Sequence, residues 1–551
     1  MRPEFDLATL MEAVAAKVPE RPAIIHGPRT HTFAQLVERS RRLARYLADR
    51  GLGCRRERAD LEGHEIGQDR MAQYLHNCPE YLEGLIGGHR ARLAPFNVNY
   101  RYVAEELRYL LRDATPRAIQ FHASFAPMLA EVLAEADPIE VLLQVDDGSG
   151  NPLLPGAVDY EQALSSVPPE TEVTPSPDDA YLIYTGGTTG MPKGVLWRQA
   201  DAMVALFGVR DRRSGREWSS LEEKLADIRE HPHRTLLLAP YMHGSSQWGA
   251  LQTLLEGNTV VIQREVSRFD PAEALDTVAR DRITVLTIVG DAFGRPLADE
   301  LERNPRALPS LRWLHSGGAA LSPTQKQRLI NAIPGLSVVE VIGSSETGVQ
   351  GRLTGTGERD ARPAFTGDPN TVVISEDMTR ELEPGHDGIG WLATRGNVPL
   401  GYLGDRAKTL KTYPVVNGER VSLPGDRARL LTDGRVELLG RDAVTINSGG
   451  EKIFAEEVEQ AIKTHSAVVD AVVCGRPSEK WGAEVVALVQ LRPEADPDGA
   501  GLVAACARHI ARYKLPKAVI FVDRVSRSPS GKADYKWAQA AAVEMTPCWT
   551  S

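Results

Sequence analysis

Tyr184-Thr185-Gly186-Gly187-Thr188-Thr189-Gly190-Met191-Pro192-Lys193-Gly194-Val195 is the most informative stretch of this chain. An apolar run ending at Thr185 feeds a loop in which Gly186, Gly187 and Gly190 are interleaved with threonines, with a lysine following. Glycines let backbone N–H groups crowd around phosphate oxygens, while Thr185, Thr188, Thr189 and Lys193 add hydroxyl donors and a cation. A Walker A loop requires Gly-Lys-Ser/Thr, which is absent here, so the spacing excludes an ordinary P-loop ATPase. The bland alternative is a mobile Gly/Thr turn between two core strands.

On either side of this loop, short apolar runs alternate with amphipathic stretches. Residues 23–26, 117–121, 141–145, 180–185, 235–239, 259–262 and 284–289 read as buried strands; 34–50, 104–111 and 271–280 read as helices. That alternation predicts an α/β fold, a large N-terminal body of helix-covered, mainly parallel sheets. Residues 146–156 and 168–179 read as loops, and the charged stretch 208–233 as surface helix and loop. Turn-rich residues 385–442 predict a β-rich subregion. Beyond them, helix 456–464, strands 468–474 and 484–490, helix 502–510 and strand 518–522 make a small α+β lobe. The boundary falls at Arg441-Asp442, giving domains 1–441 and 442–551.

The chain has 551 residues, 42% of them hydrophobic and 25% charged, with a net charge of −10. Such a composition supports a packed core and gives no global attraction to nucleic acid or anionic membrane. The basic clusters at 39–42 and 55–58 lack interleaved aromatics and read as solvated faces. Five widely spaced cysteines without a C-x-x-C argue against a disulfide framework or zinc site and for a reducing compartment. Asp6 and Glu12 spoil the N-terminus as a signal peptide, and no apolar run is long enough for a membrane span. A cytoplasmic enzyme is expected, its oligomeric state left open.

Further motifs follow in order: Pro240-Tyr241-Met242-His243-Gly244, Ser316-Gly317-Gly318-Ala319-Ala320, Ile342-Gly343-Ser344-Ser345-Glu346-Thr347-Gly348 and Leu423-Pro424-Gly425-Asp426. Then come Gly440-Arg441-Asp442, Ile446-Asn447-Ser448-Gly449-Gly450-Glu451-Lys452 and Ser528-Pro529-Ser530-Gly531-Lys532. Alone, each has a plain reading as a core histidine, a turn or a solvated lysine. Together with the 184–195 loop they resemble, in order over most of the chain, the AMP-forming adenylating enzymes: acyl-CoA synthetases, luciferases and peptide-synthetase adenylation domains.

The resemblance implies ATP, Mg²⁺ and CoA as cofactors and co-substrates, and a small-molecule carboxylic acid as substrate. It places Thr185, Gly186, Gly187, Thr188, Thr189, Gly190 and Lys193 at the phosphates. Gly318, Ile342, Gly343 and Ser345 would lie along the nucleotide, and His243 beside the acyl pocket. Glu346, with Thr188, would hold the metal, which suits a hard cation's preference for oxygen. Asp426 would accept from the ribose hydroxyls, Arg441 contact ribose or phosphate, and Asp442 act as hinge. Gly449 and Gly450 would face the CoA arm, and Lys532 would bridge substrate carboxylate and α-phosphate. Ile342 replaces the family's usual aromatic, and Pro424 its usual threonine. Gly401-Tyr402-Leu403-Gly404-Asp405 reads as structural support.

The implied activity is a two-step acid–CoA ligation through an acyl-adenylate. The stretches 97–102, 194–199 and 530–535 resemble actinobacterial-type fatty-acyl and steroid-side-chain synthetases. They point to a large apolar acid: a medium- or long-chain fatty acid or a steroid-derived one. Two alternatives stand beside it: an acyl-AMP ligase delivering to a carrier protein, and a non-catalytic adenylate-binding homologue.

Overall fold

The computed structural model describes residues 4–170, 172–187, 190–211, 214–355, 364–448, 451–478, 482–527 and 531–550. Helices form where sequence punctuation demands them. In Pro271–Arg280, Pro271 occupies the first turn, where its missing N–H costs nothing. The Asp270 carboxylate accepts from the Ala272 and Glu273 N–H groups at 2.9 and 3.2 Å. Its inner face buries Ala274, Leu275 and Val278, and complete burial of a leucine or valine is worth about 1.5–3 kcal/mol.

Such helices connect parallel strands. Pro22–His26, Thr259–Ile262, Arg234–Leu237, Val285–Ile288, Trp313–Gly317 and Ser337–Ser344 lie side by side in that order, each pair parallel. A second parallel sheet runs Ala94–Asn97, Arg70–Tyr74, Ala118–His122, Val141–Val145 and Ala157–Asp159. The sequence reading does not mark Arg70–Tyr74 and Ala94–Asn97 as strands. The first sheet continues without a break into an antiparallel region containing Gly348–Gly355, Ala364–Gly367, Val436–Arg441, Asp426–Leu430 and Gly390–Arg395.

The glycine-rich stretch is a β-hairpin. Ala180–Gly187 pairs antiparallel with Gly190–Arg198, setting Thr185 opposite Lys193; Thr188 and Thr189 lie outside the described residues. Gly401–Tyr402 adds a third strand, with Tyr402 opposite Val195.

Residues beyond the Asp442–Val444 turn form a separate α+β lobe. Strand pair Val468–Ser478 and Gly482–Leu491 carries helices Ala455–Lys463 and Tyr535–Glu544. Its apolar interior groups Ile453, Val458, Val473, Val485, Ala487 and Val519 with one another. The fold is therefore the expected one: an α/β body of parallel sheets with a β-rich part, and a small α+β lobe. Among the described residues no helix is long and apolar enough to cross a membrane.

Candidate functional site

In parallel α/β sheets, ligand-facing groups gather beyond the carboxyl ends of strands. That is where the motifs fall. His243 follows Arg234–Leu237, Val289 follows Val285–Ile288, Gly318 follows Trp313–Gly317, and Ser345 and Glu346 follow Ser337–Ser344. The second sheet turns the same kind of edge inward: Asn77 Nδ2 donates to the Ala239 carbonyl, and Asn97 Nδ2 to the Tyr184 and Met242 carbonyls.

Glu346 sits in a tight turn. The Thr347 hydroxyl accepts from the Ser344 N–H at 3.1 Å, and the Ser344 hydroxyl accepts from the Glu346 N–H at 3.2 Å. Gly343 is required here, because a Cβ would lie 2.1 Å from the Gly348 carbonyl oxygen. Ile342 is partly buried against the apolar cluster around Phe365 and Val436. Trp197 Nε1 donates to the Ser345 carbonyl at 3.0 Å, and the Ser422 hydroxyl donates to that of Glu346.

The Glu346 carboxylate accepts from the Tyr402 hydroxyl at 3.0 Å. Lys408 lies over the Tyr402 ring, Nζ 4.2 Å from its centre. Burial and the adjacent Lys193 pull Lys408 down to about 8. Tyr402 and Lys408 are residues the sequence reading missed. The segment 401–405, read as support only, in fact delivers a side chain to Glu346. A hard-oxygen carboxylate amid lysines suits a divalent cation escorting a polyphosphate.

A second group lies at His243. This residue precedes helix Gly244–Leu255, and its Nε2 is buried with no hydrogen-bond partner among the described residues. Burial, reinforced by Lys532 and then Arg101, pushes the imidazole down to about 4, so the ring is neutral near pH 7. Lys532, whose charge acts on this ring, belongs to the C-terminal lobe. Gly531 beside it has φ +79, and a Cβ there would lie 3.3 Å from that of Ala292. Arg101, also missed, belongs to a segment where Tyr100 and His76 rings lie 4.4 Å apart. Gly318, φ +85, faces Val289.

Asp426 and Arg441 are cross-strand neighbours. The Asp442 N–H donates to the Gly425 carbonyl at 2.9 Å, and Asp442 opens the turn into the lobe. Gly449 and Gly450 lie outside the described residues. Flanking them, strands Thr445–Ser448 and Glu451–Phe454 pair with Ser448 opposite Glu451.

Residues 11–403 match the AMP-binding enzyme family, and 457–532 match the AMP-binding enzyme C-terminal domain. The chain is 50% identical to a medium-chain acyl-CoA ligase Mig of Mycobacterium avium, covering 98% of each. It is 38% identical to a 3-oxocholest-4-en-26-oate–CoA ligase of Rhodococcus rhodochrous, covering 97% of this chain and 95% of that one. The ATP-bound structure of MatB from Rhodopseudomonas palustris has the same fold, with a TM-score of 0.78 at 24% identity over 98% of this chain and 99% of that one. This chain belongs to the AMP-binding enzyme family of adenylate-forming enzymes.

Proposed function

We propose that this chain is an AMP-forming acid–CoA ligase acting on a large apolar carboxylic acid, a medium- or long-chain fatty acid or a steroid-derived one. The observation that carries the reading is the approach of Gly531, next to Lys532, to Ala292 and Val289 of the body near buried, neutral His243, in a chain similar end to end to acyl-CoA and steroid-acid CoA ligases.

In the first step a carboxylate oxygen attacks the α-phosphorus of ATP. The new P–O bond forms as the α–β bridging bond breaks, and pyrophosphate leaves. Lys532, whose charge acts on His243, would draw the carboxylate toward the α-phosphate. His243, uncharged, closes the acyl side without attracting the carboxylate away from that path. The work is positioning and charge neutralisation, and no covalent enzyme intermediate is needed. Glu346, with Thr188, would hold Mg²⁺, which supplies neutralising charge to the phosphates. Lys193 and the glycines and threonines of residues 185–190 would take up the phosphate oxygens, Ile342, Gly343, Ser345 and Gly318 would flank the nucleotide, and Asp426 and Arg441 would hold its ribose side.

In the second step the CoA sulfur attacks the acyl carbon. A C–S bond forms, the C–O bond to AMP breaks, and the thiol proton passes to solvent. Lys532 and the incoming thiol compete for one approach, so the lobe turns about Asp442 between steps, bringing Gly449 and Gly450 to the CoA arm. The five free cysteines fit a reducing compartment, and we assign the activity to the cytoplasm.

Purified protein is incubated with ATP, Mg²⁺ and CoA against short, medium and long fatty acids and a steroid carboxylate. AMP release that needs both CoA and an apolar acid is expected. Acid-dependent pyrophosphate exchange that ignores CoA would replace this reading with an acyl-AMP ligase serving a carrier protein.

A further inference from the structure

Lys408 lies just beyond the 401–405 segment that sequence alone assigns to structural support. It belongs to the short helix Arg406–Thr412, and its placement is fixed several times over. The Asp405 carboxylate accepts from the Lys408 N–H at 2.9 Å. The Thr409 hydroxyl, one residue on, donates to the Asp405 carbonyl at 2.7 Å and accepts from the Tyr402 N–H at 2.9 Å. Tyr402 in turn pairs with Val195, two residues from Lys193 in the glycine-rich hairpin, and the Leu403 N–H donates to the Gly194 carbonyl at 2.9 Å.

The outcome is an ammonium group 4.2 Å above a tyrosine ring whose hydroxyl is committed to Glu346. Lys193 lies on the strand that pairs with Tyr402, two residues from its partner Val195, and its charge disfavours the Lys408 ammonium. Holding two like charges together in a half-buried position costs free energy unless an anion repays it. Among the described residues, Glu346 and Asp405 are carboxylates whose charge favours the Lys408 ammonium. Asp405 is engaged in capping its own helix, and Glu346 is a single carboxylate shared with Tyr402. A ligand carrying several negative charges on adjacent oxygens fits this arrangement.

We propose that Lys408 is a second phosphate-binding cation, which with Lys193 grips the β- and γ-phosphates that leave as pyrophosphate. The proposal rests on the ligase reading and adds a residue to it. Lys408 contacts the leaving group, so its effect belongs to the first half-reaction alone. The cation–π contact to Tyr402 keeps the ammonium aimed at the phosphates rather than at bulk solvent.

The test uses full-length Lys408→Met and Lys408→Arg beside the unaltered protein. Inorganic pyrophosphate with Mg²⁺ is titrated into each by calorimetry, with no acid or CoA present. Lys408→Met is expected to weaken binding at least tenfold, and Lys408→Arg to stay within about threefold. In acid-dependent ATP–pyrophosphate exchange, Lys408→Met raises the KM for pyrophosphate by a similar factor with the KM for acid unchanged. CoA-dependent consumption of supplied acyl-adenylate stays within about twofold. Unchanged pyrophosphate binding in Lys408→Met, no pyrophosphate binding by the unaltered protein, or equal loss in both half-reactions would overturn the proposal. Should the unaltered protein show no acid-dependent exchange, the ligase reading fails, while the pyrophosphate titration still decides the role of Lys408.

Discussion

On the proposed ligase reading, the phosphate end and the carboxylate end of the site are assembled from different kinds of part. At the phosphate end, Lys193, Tyr402, Lys408 and Glu346 all belong to the large body, tied through the 180–198 hairpin and the strand Gly401–Tyr402. At the carboxylate end the body would contribute a buried neutral imidazole, and the C-terminal lobe the cation, Lys532. Phosphates must be held from ATP binding onward, whereas charge beside the substrate carboxylate is needed only until the adenylate forms. A site that fixes the first kind of charge and carries the second on a separate lobe is suited to two reactions in one cleft.

The strongest way to break that contrast is Lys532→Ala. Adenylation, followed by pyrophosphate exchange, should fall about 10²–10³-fold, with thioester formation from supplied acyl-adenylate nearly intact. Equal losses in both steps would mean that the two ends are not separable. A smaller effect sharpens the phosphate side. Tyr402→Phe deletes the hydroxyl that donates to Glu346, and a hydrogen bond to a charged group is worth about 1.5–3 kcal/mol. If half of that is expressed in the transition state, exchange should slow by roughly three- to tenfold, with a raised Mg²⁺ requirement measured in the same assay.

The smallest effect concerns His243. Lys532 is a cationic neighbour that disfavours the imidazolium, so removing it makes protonation easier and the pKa must rise from about 4. The ring's own burial, the larger cause, remains, so the rise should stop short of the ordinary value of about 6.5. Ring-labelled histidine NMR of Lys532→Ala checks this. An unmoved His243 titration would mean that the lobe does not rest at the carboxylate end in solution.

Much of this architecture is legible in the chain itself. The helix Pro271–Arg280 and the strands Thr259–Ile262 and Val141–Val145 coincide with their sequence readings, because Asp270-Pro271 marks a helix start and the strands are short, mainly apolar runs rich in Val, Leu and Ile. Helix Pro79–Arg90 was not legible. Pro79 through His89 are all buried, which erases any amphipathic period, and Gly84, Gly87 and Gly88 argue locally against a helix. Those glycines answer to packing: a Cβ on Gly84 would lie 2.2 Å from both Gln120 Oε1 and Gln73 Nε2. In the site, the signals at 184–195 and 342–348 could be read because loop chemistry is local. The roles of Tyr402, Lys408 and Arg101 could not, since each depends on a partner brought from a distant part of the chain.

The uninterrupted run of hydrogen-bonded strands from Pro22–His26 to Asp426–Leu430 also bears on how the protein gives way to heat. Strands leading to His243, Gly318, Glu346 and Asp426 share one lattice, so none of these groups can come loose without disturbing the others. The C-terminal lobe has its own interior around Val458, Val473 and Val519 and is not part of that lattice. Warming therefore has two places to act: loosening of the lobe would silence adenylation while leaving the nucleotide seat intact, and cooling could restore it. Melting of the shared lattice would take the whole seat at once.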